Sequence, residues 1–181
     1  MDNLKLTIAL ILSVFLQWTL RNIAEPLAYV DLPLIIIVYA ALQRDALKAV
    51  LFGSIAGLAI DALSGGLLGA NGFSKTLIAF IVGEIARRVY MDNLLLRIPV
   101  IAGASLLDDV VYYGLHRLLG QEPNVPVMVT ISYTLIGTTI AGTLIYFLLD
   151  LSIAQKSRKP RRDMFPTRRQ TRRRNPIRLG K

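Results

Sequence analysis

The stretch ALKAVLFGSIAGLAIDALSGGLLGAN, residues 46–71, combines an apolar segment with a glycine-rich turn and decides the fold class. A membrane-spanning helix needs about 20 mostly apolar residues to cross about 30 Å of hydrocarbon, and residues 46–63 come close to that length. The turn at residues 64–69 has no charged side chain, and a second apolar segment begins at Ala70. We therefore predict two consecutive membrane helices joined by this turn.

The composition of the whole chain also indicates a membrane protein. Of the 181 residues, 54% are hydrophobic and 18% are charged, and the mean hydropathy is +0.51. A chain with so few charged residues has too little polar surface to cover a water-soluble globule of this size. The chain has no cysteine and a single histidine, His116, which excludes disulfides, cysteine nucleophiles and two-histidine metal motifs within it. With no nucleophile motif or phosphate loop either, we expect no enzyme activity, metal or cofactor.

Six apolar segments are predicted to form the fold, an all-α polytopic membrane protein with a six-helix transmembrane bundle in residues 1–155. Asp31 is a predicted N-cap of the second segment, and Pro33 lies in its first turn. That segment spans only about 17 Å, so it either begins earlier, within residues 24–30, or lies where the bilayer is thinned. The predicted helices are residues 4–20, 32–42, 46–63, 70–86, 94–119 and 126–149.

The positive charge is concentrated in a C-terminal tail, residues 156–181. The tail has twelve of the 21 bases but only one of the 12 acids, so residues 1–155 keep nine bases and eleven acids, a net charge of −2. A tail with so few large apolar residues cannot bury a core, and nucleic-acid binding usually shows a basic face on a folded domain. We predict a disordered tail that binds anionic lipid and no nucleic acid. The candidate lipid-binding residues are Lys156, Arg158, Lys159, Arg161, Arg162, Arg168, Arg169, Arg172, Arg173 and Arg174.

The bases in the loops predict the orientation, because Lys and Arg in short loops are retained in the cytoplasm. With six helices and a cytoplasmic amino terminus, the Arg44–Lys48 loop, Arg87, Arg88 and the tail lie on one side. The opposite side keeps little beyond Arg21. We predict both termini in the cytoplasm.

Asp61 ends a stripe of small residues on the third predicted helix. Ala49, Gly53, Gly57 and Asp61 recur every four residues, and the two glycines allow another helix to approach closely. A carboxylate near the apolar region is costly and needs a compensating contact. One interpretation is a partner contact at the outer end of this helix. The other is that Asp61 shapes the turn, by accepting amide hydrogen bonds or by pairing with Lys75.

Two adjacent acids, Asp108 and Asp109, lie inside the fifth predicted helix. They cannot face the same neighbour, because adjacent residues are about 100° apart on a helix. Asp108 shares a stripe with Tyr112 and His116. A proton relay or metal site is one interpretation, but the three groups extend over about 12 Å of helix. A polar seam that is hydrogen-bonded to other helices is the simpler interpretation.

The turn carries the most specific pattern of the chain, D-x-x-S-G-x-x-x-G. It is formed by Asp61, Ser64, Gly65 and Gly69, with Asn71 shortly after. With the proline at the start of the second helix and the basic tail, this pattern resembles the rod shape-determining protein MreD family. The resemblance is clearest in residues 31–83, and the length of the tail departs from the family pattern.

The resemblance implies a non-enzymatic subunit of the bacterial cell-elongation machinery in the inner membrane. Its expected partners are MreC, the MreB filament system, and RodA with its class B transpeptidase. The fold of that family is also similar to the substrate-binding subunits of energy-coupling-factor transporters. A small-molecule-binding subunit of such a transporter is therefore the alternative, and it predicts aromatic and polar side chains clustered near one membrane face.

Overall fold

The computed structural model describes residues 3–23, 28–43, 45–89, 94–121 and 126–157, and in these ranges it is all-helical. The prediction of an all-α, six-helix bundle is confirmed. The helices are α1 (Asn3–Ile23), α2 (Leu32–Leu42), α3 (Ala46–Ser64), α4 (Ala70–Arg88), α5 (Leu94–Leu118) and α6 (Val127–Ser157).

The short helix α2 forms the centre of the bundle. It contacts each of the other five helices, and seven of its eleven residues are buried. Its start is well capped, because Asp31 Oδ1 accepts from the amide of Leu34 at 2.9 Å and Gln17 Oε1 of α1 accepts from the amide of Leu32 at 2.8 Å. A length of about 17 Å is sufficient here, since α2 is surrounded by other helices rather than by lipid.

The outer helices have the composition expected for contact with lipid. Within the described residues, α1, α3, α5 and α6 contain segments long and apolar enough to cross a membrane, whereas α2 is too short and α4 too polar. At most 28% of each such segment is buried inside the bundle. Large apolar side chains such as Ile11, Ile55, Val110 and Ile140 point outward. The helices α2 and α4, which do not meet the requirements for a membrane span, are the most enclosed, so they need less apolar surface.

The turn between α3 and α4 depends on two glycines with positive φ. Gly65 ends α3 with a φ of 64°, and Gly69 precedes α4 with a φ of 96°. A side chain is strained in this left-handed region, and glycine is not. The two glycines of the predicted D-x-x-S-G-x-x-x-G pattern therefore reverse the chain direction.

The backbones of α3 and α4 meet at the predicted small-residue stripe. A Cβ added to Gly53 would lie 2.7 Å from the carbonyl oxygen of Lys75, and one added to Gly57 would lie 2.4 Å from that of Asn71. Both distances are too short for a carbon atom, and the obstructing atoms are backbone. The stripe therefore packs against α4 of the same chain.

Gly57→Ala should consequently destabilise the bundle by about 1 to 3 kcal/mol, because overpacking forces the α4 backbone to move. The matched control is Gly103→Ala on α5, where an added Cβ meets no atom within 4 Å. That variant should be neutral or slightly stabilising, since alanine favours the helix by up to about 1 kcal/mol. Thermal unfolding in detergent measures both. Equal unfolding temperatures for the two variants would contradict the close approach of α3 and α4.

The last helix is longer than its sequence predicts. α6 continues past the predicted end at Leu149 to Ser157. No glycine or proline lies between Gly142 and Pro160, so nothing in the sequence interrupts the helix where it leaves the apolar segment. The first tail base, Lys156, therefore belongs to the helix. Residues 158–181, and with them the predicted disorder of the tail, lie outside the described residues.

One end of the bundle carries bases from two helices. The start of α3 adjoins the end of α4, since a Cβ on Gly83 would lie 3.2 Å from that of Ala46. Glu84 of α4 pairs there with Arg88 at 2.9 Å. Lys48 of α3 bonds to Asp45, the N-cap of that helix, and this hydrogen bond holds the pKa of Asp45 below its usual range. We call this the basic end.

Candidate functional site

A buried lysine lies at the middle of a polar network near the opposite end of the bundle. The side chain of Lys75 on α4 is 1% exposed. Its Nζ donates to Asp108 Oδ2 of α5 at 2.8 Å and also to Asp31 Oδ2, just before α2. A charge is costly to bury unless it is paired and hydrogen-bonded, and two carboxylates pair this one.

Further hydrogen bonds orient both carboxylates. Asp31 uses Oδ1 to cap α2, which directs Oδ2 to the lysine, and its own amide donates to Thr138 Oγ1 of α6 at 3.1 Å. Ser74 Oγ donates to Asp108 Oδ1 at 2.7 Å. The network therefore connects the start of α2 with α4, α5 and α6.

Asp61 shapes the α3–α4 turn, as one of the two interpretations of the sequence requires. Its Oδ1 accepts from the amide of Asn71 at 3.1 Å and from Asn71 Nδ2 at 2.8 Å. Its Oδ2 accepts from the amides of Gly69 at 2.9 Å and Gly72 at 3.0 Å. The suggested pairing with Lys75 is wrong, because that lysine bonds to Asp31 and Asp108. Ser64 Oγ donates to the carbonyl oxygen of Asp61 at 3.3 Å and adds to the turn.

The two adjacent acids of α5 have different environments. Both line a cleft at this end of the bundle, but Asp108 is buried and bonded to Ser74 and Lys75 of α4, whereas Asp109 is only partly buried. Asp109 Oδ2 is almost inaccessible and has no hydrogen-bond partner among the described residues. In the stripe that starts at Asp108, His116 Nδ1 donates to the backbone oxygen of Tyr112 in its own helix at 3.0 Å.

The cleft has a volume of about 630 Å³, which is within the range of about 300 to 1,000 Å³ typical of ligand pockets. It opens where α1, α3 and α5 end and where α2, α4 and α6 begin, away from the basic end. We call it the outer cleft. Its lining residues are Gln17, Arg21, Ala28, Tyr29, Asp31, Ile60, Ser64, Gly66, Asn71, Asp108, Asp109, Tyr112, Tyr113, Thr130 and Thr134.

Chemically, the site is built for hydrogen bonding and charge pairing. The described residues contain no group of three or more His, Asp or Glu that could hold a metal ion. Asp31 and Asp108 approach each other, but Lys75 is bound to both carboxylates. The ammonium group of Lys75 supplies the positive charge that a metal ion between the two carboxylates would otherwise provide.

Some of these groups can be recognised from the sequence and others cannot. Asp61, Ser64, Gly69 and Asn71 meet in the turn, while Asp108 and Asp109 face different surroundings. Lys75 is predicted from the sequence only as a partner of Asp61, although a lysine inside an apolar segment is itself a signal of a buried ion pair. The tyrosines and threonines of the outer cleft have no sequence pattern that would have brought them together.

Almost all of the described helices match a known protein family. Residues 3–153 match the family described as rod shape-determining protein MreD. The chain belongs to the MreD family. The match confirms the resemblance read from residues 61–71 and extends through most of α6. The MreD assignment makes the chain a rod shape-determining, multi-pass membrane protein. No curated protein and no solved structure shows a significant match to it.

Proposed function

We propose that the chain is a non-enzymatic subunit of the bacterial cell-elongation machinery that binds MreC. Through MreC it supports the MreB filament system and peptidoglycan synthesis by RodA and its class B transpeptidase. The observation that carries this proposal is the MreD family match, which includes all of α1 to α5 and most of α6. In this role the chain offers a surface on which partner proteins assemble.

The contacts of the polar groups support an assembly role over catalysis. Both carboxylate oxygens of Asp61 accept hydrogen bonds from the turn, and the carboxylates of Asp31 and Asp108 are bound to Lys75. His116 donates to its own helix backbone. These groups stabilise a fixed shape, and a fixed shape is what a partner protein needs to recognise.

Co-purification of the full chain in mild detergent tests the proposal. We expect MreC in a fixed ratio by mass spectrometry, both with the wild type and with Gly103→Ala, whose added methyl group contacts nothing. The variant Gly57→Ala, which distorts the α3–α4 seam, should retain less MreC. Purification of the chain without MreC under conditions that keep other membrane complexes intact would contradict the proposal.

The distribution of charge supports an inner-membrane orientation with the basic end in the cytoplasm. Lys48, Arg87 and Arg88 lie at that end, and bases in short loops remain inside. The outer cleft then faces the periplasm, and both termini are cytoplasmic.

Single cysteines test this orientation directly, since the chain has none of its own. Leu68→Cys, in the exposed α3–α4 turn, should react with a membrane-impermeant maleimide added to intact spheroplasts. Arg88→Cys should react only after the membrane is opened. Labelling of both from outside, or the reverse pattern, would contradict the proposed orientation.

We also propose that the tail binds anionic lipid on the cytoplasmic leaflet. A base near such a surface contributes about 1 kcal/mol, so four of the twelve bases would supply about 4 kcal/mol. A peptide of residues 158–181 should bind vesicles containing phosphatidylglycerol and should dissociate as salt shortens the Debye length below about 8 Å. Equal binding to neutral phosphatidylcholine vesicles, or full retention in 1 M salt, would contradict the proposal.

A small-molecule-binding subunit of an energy-coupling-factor transporter is the second candidate. The outer cleft favours it, because tyrosines and polar side chains cluster there near one end of the bundle. This candidate predicts co-purification with a pair of ATPase subunits instead of MreC. The same mass-spectrometric experiment therefore distinguishes the two functions.

A further inference from the structure

We propose that a groove between α1 and α3 binds a phospholipid from the surrounding bilayer, with an acyl chain in the groove and the phosphate at Arg21. The groove has a volume of about 210 Å³ and adjoins the outer cleft. We call it the lateral groove. The inference rests on its apolar lining, on its single charge and on its place at the end of a membrane-spanning segment. It does not depend on MreC binding, since a lipid site can be filled with or without that partner.

The part of the lateral groove farther from the helix ends is mostly apolar. Val14 and Trp18 of α1 line it together with Ile60 and Leu63 of α3. Its volume is below the range of about 300 to 1,000 Å³ that is typical of pockets for a whole ligand. The groove therefore suits a thin part of a larger molecule, such as a stretch of acyl chain whose remainder stays in the bilayer.

The lateral groove is accessible from the lipid side of the bundle. The candidate membrane span Leu4–Arg21 is only 22% buried inside the bundle, and Trp18 and Leu63 are 48% and 41% exposed. Arg21 ends that span, and tryptophan is enriched where a span meets the membrane–water interface. The groove therefore extends from the apolar region to the level of the lipid headgroups.

The charge at the outer end of the lateral groove favours a phosphate. Arg21 is the only charged residue that lines the groove in the described part of the chain. It is exposed, and its side chain makes no hydrogen bond or ion pair with another described residue. A guanidinium group binds two phosphate oxygens at once. The acids of the outer cleft do not line this groove, so they do not neutralise the arginine there.

Gln17 supplies a second donor in the lateral groove, one turn before Arg21. Its Oε1 accepts from the amide of Leu32 at 2.8 Å, which leaves the hydrogens of Nε2 for a ligand. Gln17, Arg21 and Ser64 also line the outer cleft, so a headgroup attached to the phosphate reaches water there. An apolar channel, two donors and a polar opening match the chain, the phosphate and the headgroup of a phospholipid.

The fluorescence of Trp18 reports whether the lateral groove is filled, because Trp18 lines the groove and is the single tryptophan of the chain. The purified full chain in a neutral detergent should be titrated with phosphatidylglycerol brominated on its acyl chains, since bromine quenches tryptophan on contact. We expect quenching that saturates at a low lipid fraction. Brominated diacylglycerol, which lacks the phosphate, should quench only in proportion to its fraction in the micelle. Glycerol 3-phosphate, which lacks the chains, should not displace the lipid.

Arg21→Gln should raise the lipid fraction needed for half-maximal quenching by about tenfold, as expected when hydrogen bonds from a charged group are lost. Arg117→Gln is the matched control, because it removes another exposed base near the same end of the bundle that does not line the groove. It should leave the quenching unchanged. Both variants should unfold at the wild-type temperature, since neither arginine makes an ion pair within the described residues.

Three results would overturn the proposal. The first is the same half-maximal lipid fraction for the wild type and Arg21→Gln, or equal quenching by the phospholipid and the diacylglycerol. The second is displacement of the lipid by an equal concentration of glycerol 3-phosphate, which would reduce the site to one for a free anion. The third is a cross-link from Leu63→Cys to a co-purified protein without saturable quenching of the isolated chain, which would assign the groove to a helix of a partner.

Discussion

Lys75→Met should lower the free energy of unfolding by about 3 to 5 kcal/mol, because it leaves two carboxylates in the bundle without their shared cation. Methionine fills a similar volume, so the loss reflects the charge rather than a cavity. Asp31 and Asp108 would then face each other with like charges. Thermal or denaturant unfolding of the purified chain in detergent measures the effect.

A rescue experiment separates this charge effect from a packing effect. Adding Asp31→Asn and Asp108→Asn to Lys75→Met removes both stranded charges and should restore more than half of the lost stability. Asparagine also caps a helix as well as aspartate, so the start of α2 stays intact. A Lys75→Met protein within 1 kcal/mol of the wild type would contradict the account of the network, as would a triple variant no more stable than the single one.

Substitution of Asp61 has the second largest expected effect. Asp61→Leu leaves four hydrogen-bond donors of the turn without an acceptor, at about 1 kcal/mol or more each. Asp61→Asn keeps one oxygen but places an amide group against two of the donors. The order of stability should therefore be wild type, then asparagine, then leucine, with losses of about 2 and about 4 kcal/mol.

Asp45→Asn is the matched control for this series. Asp45 caps α3 at the basic end and is bonded to Lys48 on the surface. Asparagine is an equally good N-cap, so the stability should stay close to that of the wild type. An Asp61→Asn protein as stable as Asp45→Asn would show that the turn does not depend on both carboxylate oxygens.

Much of the architecture could be predicted from the sequence, because it depends on local patterns. Apolar length indicates the helices, and the spacing of Gly53, Gly57 and Asp61 indicates the seam. The D-x-x-S-G-x-x-x-G pattern indicates a turn and the family. These features involve residues close together in the chain, so their periodicity carries the information.

The centre of the site could not be predicted in the same way. Lys75 bonds to residues 44 and 33 positions away, one just before α2 and one on α5, and no local pattern specifies which helices meet. The outer cleft combines the ends of all six helices for the same reason. The end of α6 at Ser157 was missed because apolarity, which marks the membrane segment, ends before the helix does.

The shape of the cells tests the central claim most directly. The gene for this chain should be depleted in its own bacterium, and cell length and width measured by microscopy as the protein disappears. The account predicts wide, rounded cells, with rod shape restored by the wild type and by Gly103→Ala but poorly by Lys75→Met at equal protein levels. Cells that keep their normal width and length after complete depletion would contradict it.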